Sequence, residues 1–187
     1  MNLTSNPWSF VPADVQTQTI ATITLNPDGT VTLVGTGALP ASMIQDTWVT
    51  VINVTNPIYN MGYKIIAVIN ATTLLLAPMD NDVLQPYLNR IPVGTAPSAG
   101  GVVGFNQYNS MVRIEDISWQ STGAPLAGSV IGGGDVLVIT DFEGNVIWSA
   151  VAPATPSSYS QNRGKIFWVT GITLFAMTHG IVLMTIN

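Results

Sequence analysis

The sequence predicts an all-β fold made of two small antiparallel modules, each barrel-like or sandwich-like, preceded by an extended N-terminal arm. Three observations indicate this class. Thr alternates with apolar residues on both sides of the turn Asn26-Pro-Asp-Gly29, which is the pattern of a half-buried β-hairpin. Short runs rich in Val, Ile and Thr recur about every ten residues, with turn-forming residues between them. Almost no segment has the length and apolar period of an amphipathic helix.

The first module is expected to cover residues 16–90. Its hairpin pairs residues 16–25 with residues 30–34, because the Pro, Asp and Gly between them favour a tight turn. Three further strands are predicted at residues 48–53, 63–69 and 73–76. The periodicity weakens over residues 80–88, where Pro86 limits any helix to a single turn.

Residues 91–110 begin with a run rich in Pro, Gly, Ser and Ala, and we predict a linker or extended surface loop there. The second module is expected to cover residues 111–187. Its strands are predicted at residues 111–119, 135–140, 145–151, 165–170, 172–176 and 181–186. The 22 residues from Ile166 to Asn187 contain no Asp, Glu, Lys or Arg and have the length of a membrane span. Their Thr, Gly and β-branched residues favour buried strands around a turn instead.

Charge is unusually scarce in this chain. Ten acidic and five basic residues make up 8% of it, whereas an ordinary soluble domain carries about 25% charged residues. The net charge is −5 and the basic residues are scattered, so the clustered Lys and Arg that bind nucleic acid are missing. Since 47% of the residues are hydrophobic, much of the surface has to be uncharged, which is typical of proteins covered by partners. We therefore expect protein partners and a homo-oligomer, without nucleic acid or membrane.

No motif in the sequence indicates catalysis. His179 is the only histidine and no G-x-S-x-G motif accompanies it, so a Ser-His-Asp site is not predicted. The chain has no Cys, which leaves no thiolate for a nucleophile or a metal site. Asp141 and Glu143 lie in a predicted hairpin turn, where Asp bonds its own backbone. The sequence predicts a protein with no enzymatic activity, no metal and no cofactor.

Aromatic residues provide the one candidate interaction site. Core filling is expected for the four tryptophans in predicted strands, namely Trp48, Trp119, Trp148 and Trp168. Trp8 instead lies in the predicted arm, residues 1–15, within the segment Asn6-Pro-Trp-Ser-Phe-Val-Pro12. This segment is too short to form its own core, so it has to dock on the chain's own module or on a neighbour. We predict that Trp8, Phe10 and Val11 form a protein interface.

Three segments of the first half share a strand-and-turn pattern, namely Trp48-Val-Thr-Val, Asn60-Met-Gly-Tyr-Lys-Ile-Ile-Ala-Val68 and Thr72-Thr-Leu-Leu-Leu76. They resemble small β modules of tailed-bacteriophage virion proteins. In the second half, Asp135-Val-Leu-Val-Ile-Thr-Asp-Phe-Glu-Gly-Asn-Val-Ile-Trp148 is similar to the C-terminal hairpins of short phage head proteins. The resemblance covers about half of the chain and transfers no functional residue.

This resemblance implies a virion structural protein, first of all a capsid cement or decoration protein that stabilises the phage head. Its expected partners are the major capsid protein or other virion subunits, with a homo-oligomer, a trimer among the options. Its expected location is the virion, assembled in the host cytoplasm. The alternatives are a tail, fibre, baseplate or head-completion protein, including one that binds a host glycan. A hydrolase is a further rival, which the single histidine argues against.

Overall fold

The computed structural model describes residues 6–80, 85–120, 134–152 and 167–187. These residues form twelve β-strands and two short 3-10 turns, which confirms the predicted all-β class. The strands are β1 (Trp8–Phe10), β2 (Thr17–Leu25), β3 (Val31–Gly35), β4 (Trp48–Ile52), β5 (Gly62–Asn70), β6 (Thr73–Asp80), β7 (Gln85–Pro86), β8 (Val102–Gln120), β9 (Val136–Thr140), β10 (Val146–Val151), β11 (Phe167–Met177) and β12 (Ile181–Ile186). The 3-10 turns are Pro12–Asp14 and Pro57–Tyr59.

Six strands close into an antiparallel barrel in the order β8-β2-β3-β6-β5-β4. The barrel closes because the start of β8 pairs on both sides: Gly104 lies opposite Thr17 of β2 and opposite Thr50 of β4. Alternating residues of these strands point inward and form the first hydrophobic core, which includes Ile20, Ile23, Leu33, Val49, Tyr63 and Leu76. Closure pairs the backbone groups that an open sheet leaves at its edges.

A second antiparallel sheet has the order β10-β9-β11-β8-β12-β1 among the described strands. It uses the remainder of β8, which pairs with β11 and then with β12. Its inner face forms the second hydrophobic core, which includes Trp8, Phe10, Ile114, Trp119, Trp148 and Met184. The described residues therefore form two cores, and strand β8 contributes to both.

Strand β8 corrects the predicted linker. Residues 102–110 were expected to lie in a linker, but they belong to β8, which continues without a break to Gln120. The Gly-rich sequence is explained by close packing: a Cβ at Gly104 would lie 2.7 Å from Thr173 Cγ2 and 2.8 Å from the Phe175 ring. The glycine here allows another strand to approach and does not make the backbone flexible.

A buried seam joins the barrel to the second sheet. Phe142, in the turn between β9 and β10, is fully buried and its ring lies 4.8 Å from the ring of Trp48. Thr50 donates a hydrogen bond to the Phe142 carbonyl at 3.2 Å, and the hydroxyls of Thr50 and Thr173 lie 3.0 Å apart. Buried polar groups that are paired in this way fix one relative arrangement of the packed elements.

Both predicted hairpin turns are present. In the first, Asp28 accepts hydrogen bonds from the backbone N–H and the hydroxyl of Thr30, and these bonds lower the pKa of the Asp28 carboxyl. In the second, Asp141 Oδ1 accepts from the backbone N–H groups of Glu143 and Asn145. These short-range bonds are the ones that turn sequences of this kind favour.

Two further predicted segments, residues 80–88 and the last strands of the chain, are described in part. Residues 85–86 form the short strand β7 on β6 where a helical turn was considered, while residues 81–84 lie outside the described part. Residues 167–170 of the predicted strand 165–170 and the whole predicted strand 172–176 belong to one strand, β11, with a register shift between Thr170 and Ile172. Residues 165–166 lie outside the described part. Among the described residues, no helix is long and apolar enough to cross a membrane.

Candidate functional site

The N-terminal segment lies in the chain's own core. Strand β1 pairs with β12, and Asn6 Nδ2 donates to the Ile186 carbonyl at 2.7 Å. Trp8 and Phe10 are buried in the second core, where the Trp8 ring lies 4.6 Å from the ring of Tyr108. Val11 follows the strand and is partly buried.

The structure places two residues of the predicted interface, Trp8 and Phe10, in the chain's own core, whereas Val11 is partly exposed and its part in an interface stays a prediction. Trp8 and Phe10 are at most 5% exposed, so these two side chains have no surface left for a partner in this fold. The physical reason is entropic: docking on a separate subunit also costs the translational and rotational freedom of two molecules, whereas docking within the same chain does not. The sequence indicates that these apolar residues need a docking site, but it does not indicate whether that site lies on the same chain or on a neighbour.

His179 holds a turn together. Its Nδ1 lies 2.8 Å from Asp135 Oδ1, and its backbone carbonyl accepts a hydrogen bond from Trp119 Nε1 at 2.7 Å. These contacts tie the turn between β11 and β12 to the start of β9. In the described ranges no group of three or more His, Cys, Asp or Glu side chains could hold a metal ion.

Several described carboxylates pair with other residues of this chain. Glu143 pairs with Arg90 at 2.9 Å, and Glu115 lies 3.8 Å from Arg113. Asp141 bonds its own turn, and partial burial raises the pKa of its carboxyl in spite of those bonds. Asp82 lies outside the described residues.

An apolar groove runs along the outer side of strand β5. Two open depressions of about 340 and 320 Å³ lie along it. Val68 and Asn70 line the first and Lys64 and Ile66 line the second, so the same strand forms the floor of both. The opposite wall is the segment from Ala38 to Asp46. We call this surface the β5 groove.

The β5 groove exposes large apolar side chains. Ile44 is 58% exposed, whereas its neighbour Met43 is buried in the barrel. Val68 and Leu88 are also exposed and line the groove. Sequence analysis missed this surface, although the apolar residues between two predicted strands, Leu39, Met43 and Ile44, were a signal for it.

The tryptophans divide into two groups. Trp119 and Trp148 are buried as expected, and Trp48 is partly buried against Phe142. Trp168, however, is 63% exposed on the outer face of strand β11. The sequence alone could not predict this, because the face that a strand residue occupies depends on the sheet register.

Comparison with protein-family models, with curated proteins and with solved structures gave no match. The resemblance to phage virion modules thus stays a prediction. The observations on which a function can be argued are the β5 groove, the exposed face around Trp168 and the scarcity of charge.

Proposed function

We propose that this chain is a non-enzymatic virion structural protein, a capsid cement or decoration protein that binds other particle subunits through protein contacts. The observation that carries the proposal is the β5 groove, with exposed Ile44 and Val68 beside it. Exposed apolar side chains that cluster beside a depression are candidates for burial against a partner.

The energetics of the groove suit association by apolar burial. Full burial of an exposed aliphatic side chain contributes about 1.5–3 kcal/mol; Ile44 and Val68 are 58% and 44% exposed, so covering each of them contributes about half of that. Among the described residues that line the groove, Lys64 and Asp46 form an ion pair at 2.7 Å. A partner therefore does not need to supply a matching charge for either of these two side chains.

The seam between the two halves supports the same role. A protein that bridges subunits has to transmit force between its contact surfaces, and the shared strand β8 and the buried Phe142 connect the barrel to the second sheet. Closely packed interiors have low compressibility and transmit strain, so this connection can pass a load from one contact surface to the other.

A tail, fibre, baseplate or head-completion protein is the second candidate. The exposed Trp168 favours it, because an aromatic side chain on an outer face suits a protein that meets a ligand outside the particle. Both candidates need the β5 groove for anchoring, and they differ in where on the particle the partner lies.

Charged substitutions in the groove test the proposal. The purified chain is added to particles of the encoding phage that lack it, and bound protein is measured by co-sedimentation. Ile44→Asp and Val68→Asp are expected to abolish binding, because they place a charge in the buried contact. Val93→Asp is the matched control, since Val93 is 91% exposed and lines neither depression.

Circular dichroism and urea unfolding establish that each variant is folded. Absence of the chain from purified particles, by mass spectrometry, would overturn the virion role. Normal binding by Ile44→Asp and Val68→Asp would show that a different surface is used.

A further inference from the structure

The outer face of the β8–β11 pair carries one exposed indole in a polar setting. Trp168 lies directly across from Arg113, and Thr170 lies across from Met111. Trp168 and Met111 are 63% and 62% exposed. The residues between them, Val112 and Val169, pack in or against the second core, so the alternation of the strands places the indole outward.

Polar side chains next to the indole are held in a row. Arg113 Nη1 lies 3.8 Å from Glu115 Oε1, and the same carboxylate oxygen accepts a hydrogen bond from Asn187 Nδ2 at 2.9 Å. The backbone N–H of Asn187 donates to the Arg113 carbonyl at 3.0 Å, which fixes the end of the chain beside β8. A guanidinium, a carboxylate and a carboxamide thus lie near one indole.

We propose that this face, named the Trp168 platform and formed by Met111, Arg113, Glu115, Trp168 and Asn187, binds a neutral saccharide. The C–H face of a pyranose ring is apolar and slightly positive, and it complements the negative face of an indole. Sugar hydroxyls both donate and accept, so they match the donors of Arg113 and Asn187 and the acceptor of Glu115. The inference deepens the second candidate function, which rests on the same indole, and it does not depend on the cement role.

The charges and the size of the platform select this ligand class. Arg113 lies 3.8 Å from Glu115, so each of these two charges has an opposite charge beside it, which suits a neutral ligand. Two strands of five residues span about 17 by 10 Å, or about 170 Å², whereas a stable protein interface takes about 800 Å² from each partner. The platform is thus large enough for a sugar unit or two and small for a protein.

The test uses the full chain on a microarray of neutral gluco-, galacto- and manno-oligosaccharides, with sialyllactose as a charged comparison. The best neutral oligosaccharide is then titrated while tryptophan fluorescence is recorded. Trp168 is the most exposed of the five tryptophans, so binding is expected to shift its emission to shorter wavelength and to protect it from acrylamide.

Two variants and one control locate the site. Trp168→Ala is expected to weaken binding about tenfold or more, the loss that follows when one stacking contact is removed. Arg113→Gln keeps the strand and is expected to weaken binding as well. Tyr87→Ala removes an exposed aromatic side chain elsewhere on the chain and is expected to leave affinity unchanged.

Absence of binding to every neutral oligosaccharide would overturn the proposal, as would binding that Trp168→Ala and Arg113→Gln leave unchanged. Loss of particle binding by Trp168→Ala, without any saccharide bound, would identify the platform as a protein interface and would also overturn it. The virion role is tested separately by Ile44→Asp, so failure of one proposal is distinguishable from failure of the other.

Discussion

Replacing Gly62 by Ala tests the seam between the barrel and the second sheet. A Cβ at Gly62 would lie 2.3 Å from two carbons of the Phe142 ring. The ring has little room to move, because Phe142 is fully buried and its ring contacts that of Trp48. Forcing a methyl group into such a contact costs about 1–3 kcal/mol of unfolding free energy, and we expect Gly62→Ala to be destabilised by this amount.

Phe142→Ala provides the second arm of a double-mutant cycle. Removing a buried Phe costs about 3–5 kcal/mol, and its pairing with Trp48 accounts for about 0.5–1.5 kcal/mol of that loss. In this background the methyl group at position 62 enters the vacated space. The double variant is therefore expected to be no less stable than Phe142→Ala alone, which corresponds to a coupling of about 1–3 kcal/mol.

Urea unfolding followed by tryptophan fluorescence measures the four free energies. Gly37→Ala is the matched control, because its added methyl group would meet only the end of the Gln18 side chain, at 3.0 Å. It is expected to change stability by less than about 0.5 kcal/mol. If the effects of Gly62→Ala and Phe142→Ala add to within about 0.5 kcal/mol, the reasoning about the seam is refuted.

Three further expectations concern the chain end, one carboxylate and ionic strength. Deleting residues 1–12 removes Trp8 and Phe10 from the second core, and the loss of each side chain lowers the free energy of unfolding by about 3–5 kcal/mol. Near-ultraviolet circular dichroism should therefore show loss of tertiary structure. An unchanged spectrum and urea midpoint would contradict this. Burial raises the pKa of Asp141, so its ionised form opposes folding. The stability of the wild type relative to Asp141→Asn should therefore fall as pH rises from below the usual pKa of 3.8 to neutrality. Urea midpoints across that range measure the difference, and a relative gain in stability with rising pH would contradict this direction. Particle retention, read by co-sedimentation from low salt to about 0.5 M, should change little because apolar contacts are not screened, and steep release would indicate electrostatic docking.

Short-range chemistry explains what could be predicted from the sequence. The two hairpin turns are specified by residues that bond within four positions, as Asp28 does with Thr30 and Asp141 with Asn145. The alternation of Thr with apolar residues in β2 needs only the two-residue period of a strand. The all-β class followed from such local patterns, and so did the expectation of an uncharged, partner-covered surface.

The tertiary structure decided which strands pair in the barrel and in the second sheet, and which side chains remain exposed on the surface. Gly104 lies in a Gly-rich segment that indicated a linker, but its role is to admit Phe175 of a distant strand. Trp119 is buried and Trp168 exposed, although both lie in apolar strands of similar composition. Register shifts, such as the one between Thr170 and Ile172, set which side chains face the core. Because pairing partners that are remote in sequence set the register, no local pattern could show that Trp168 lies on an outer face. The apolar residues Leu39, Met43 and Ile44 indicated a surface, but not that it borders β5.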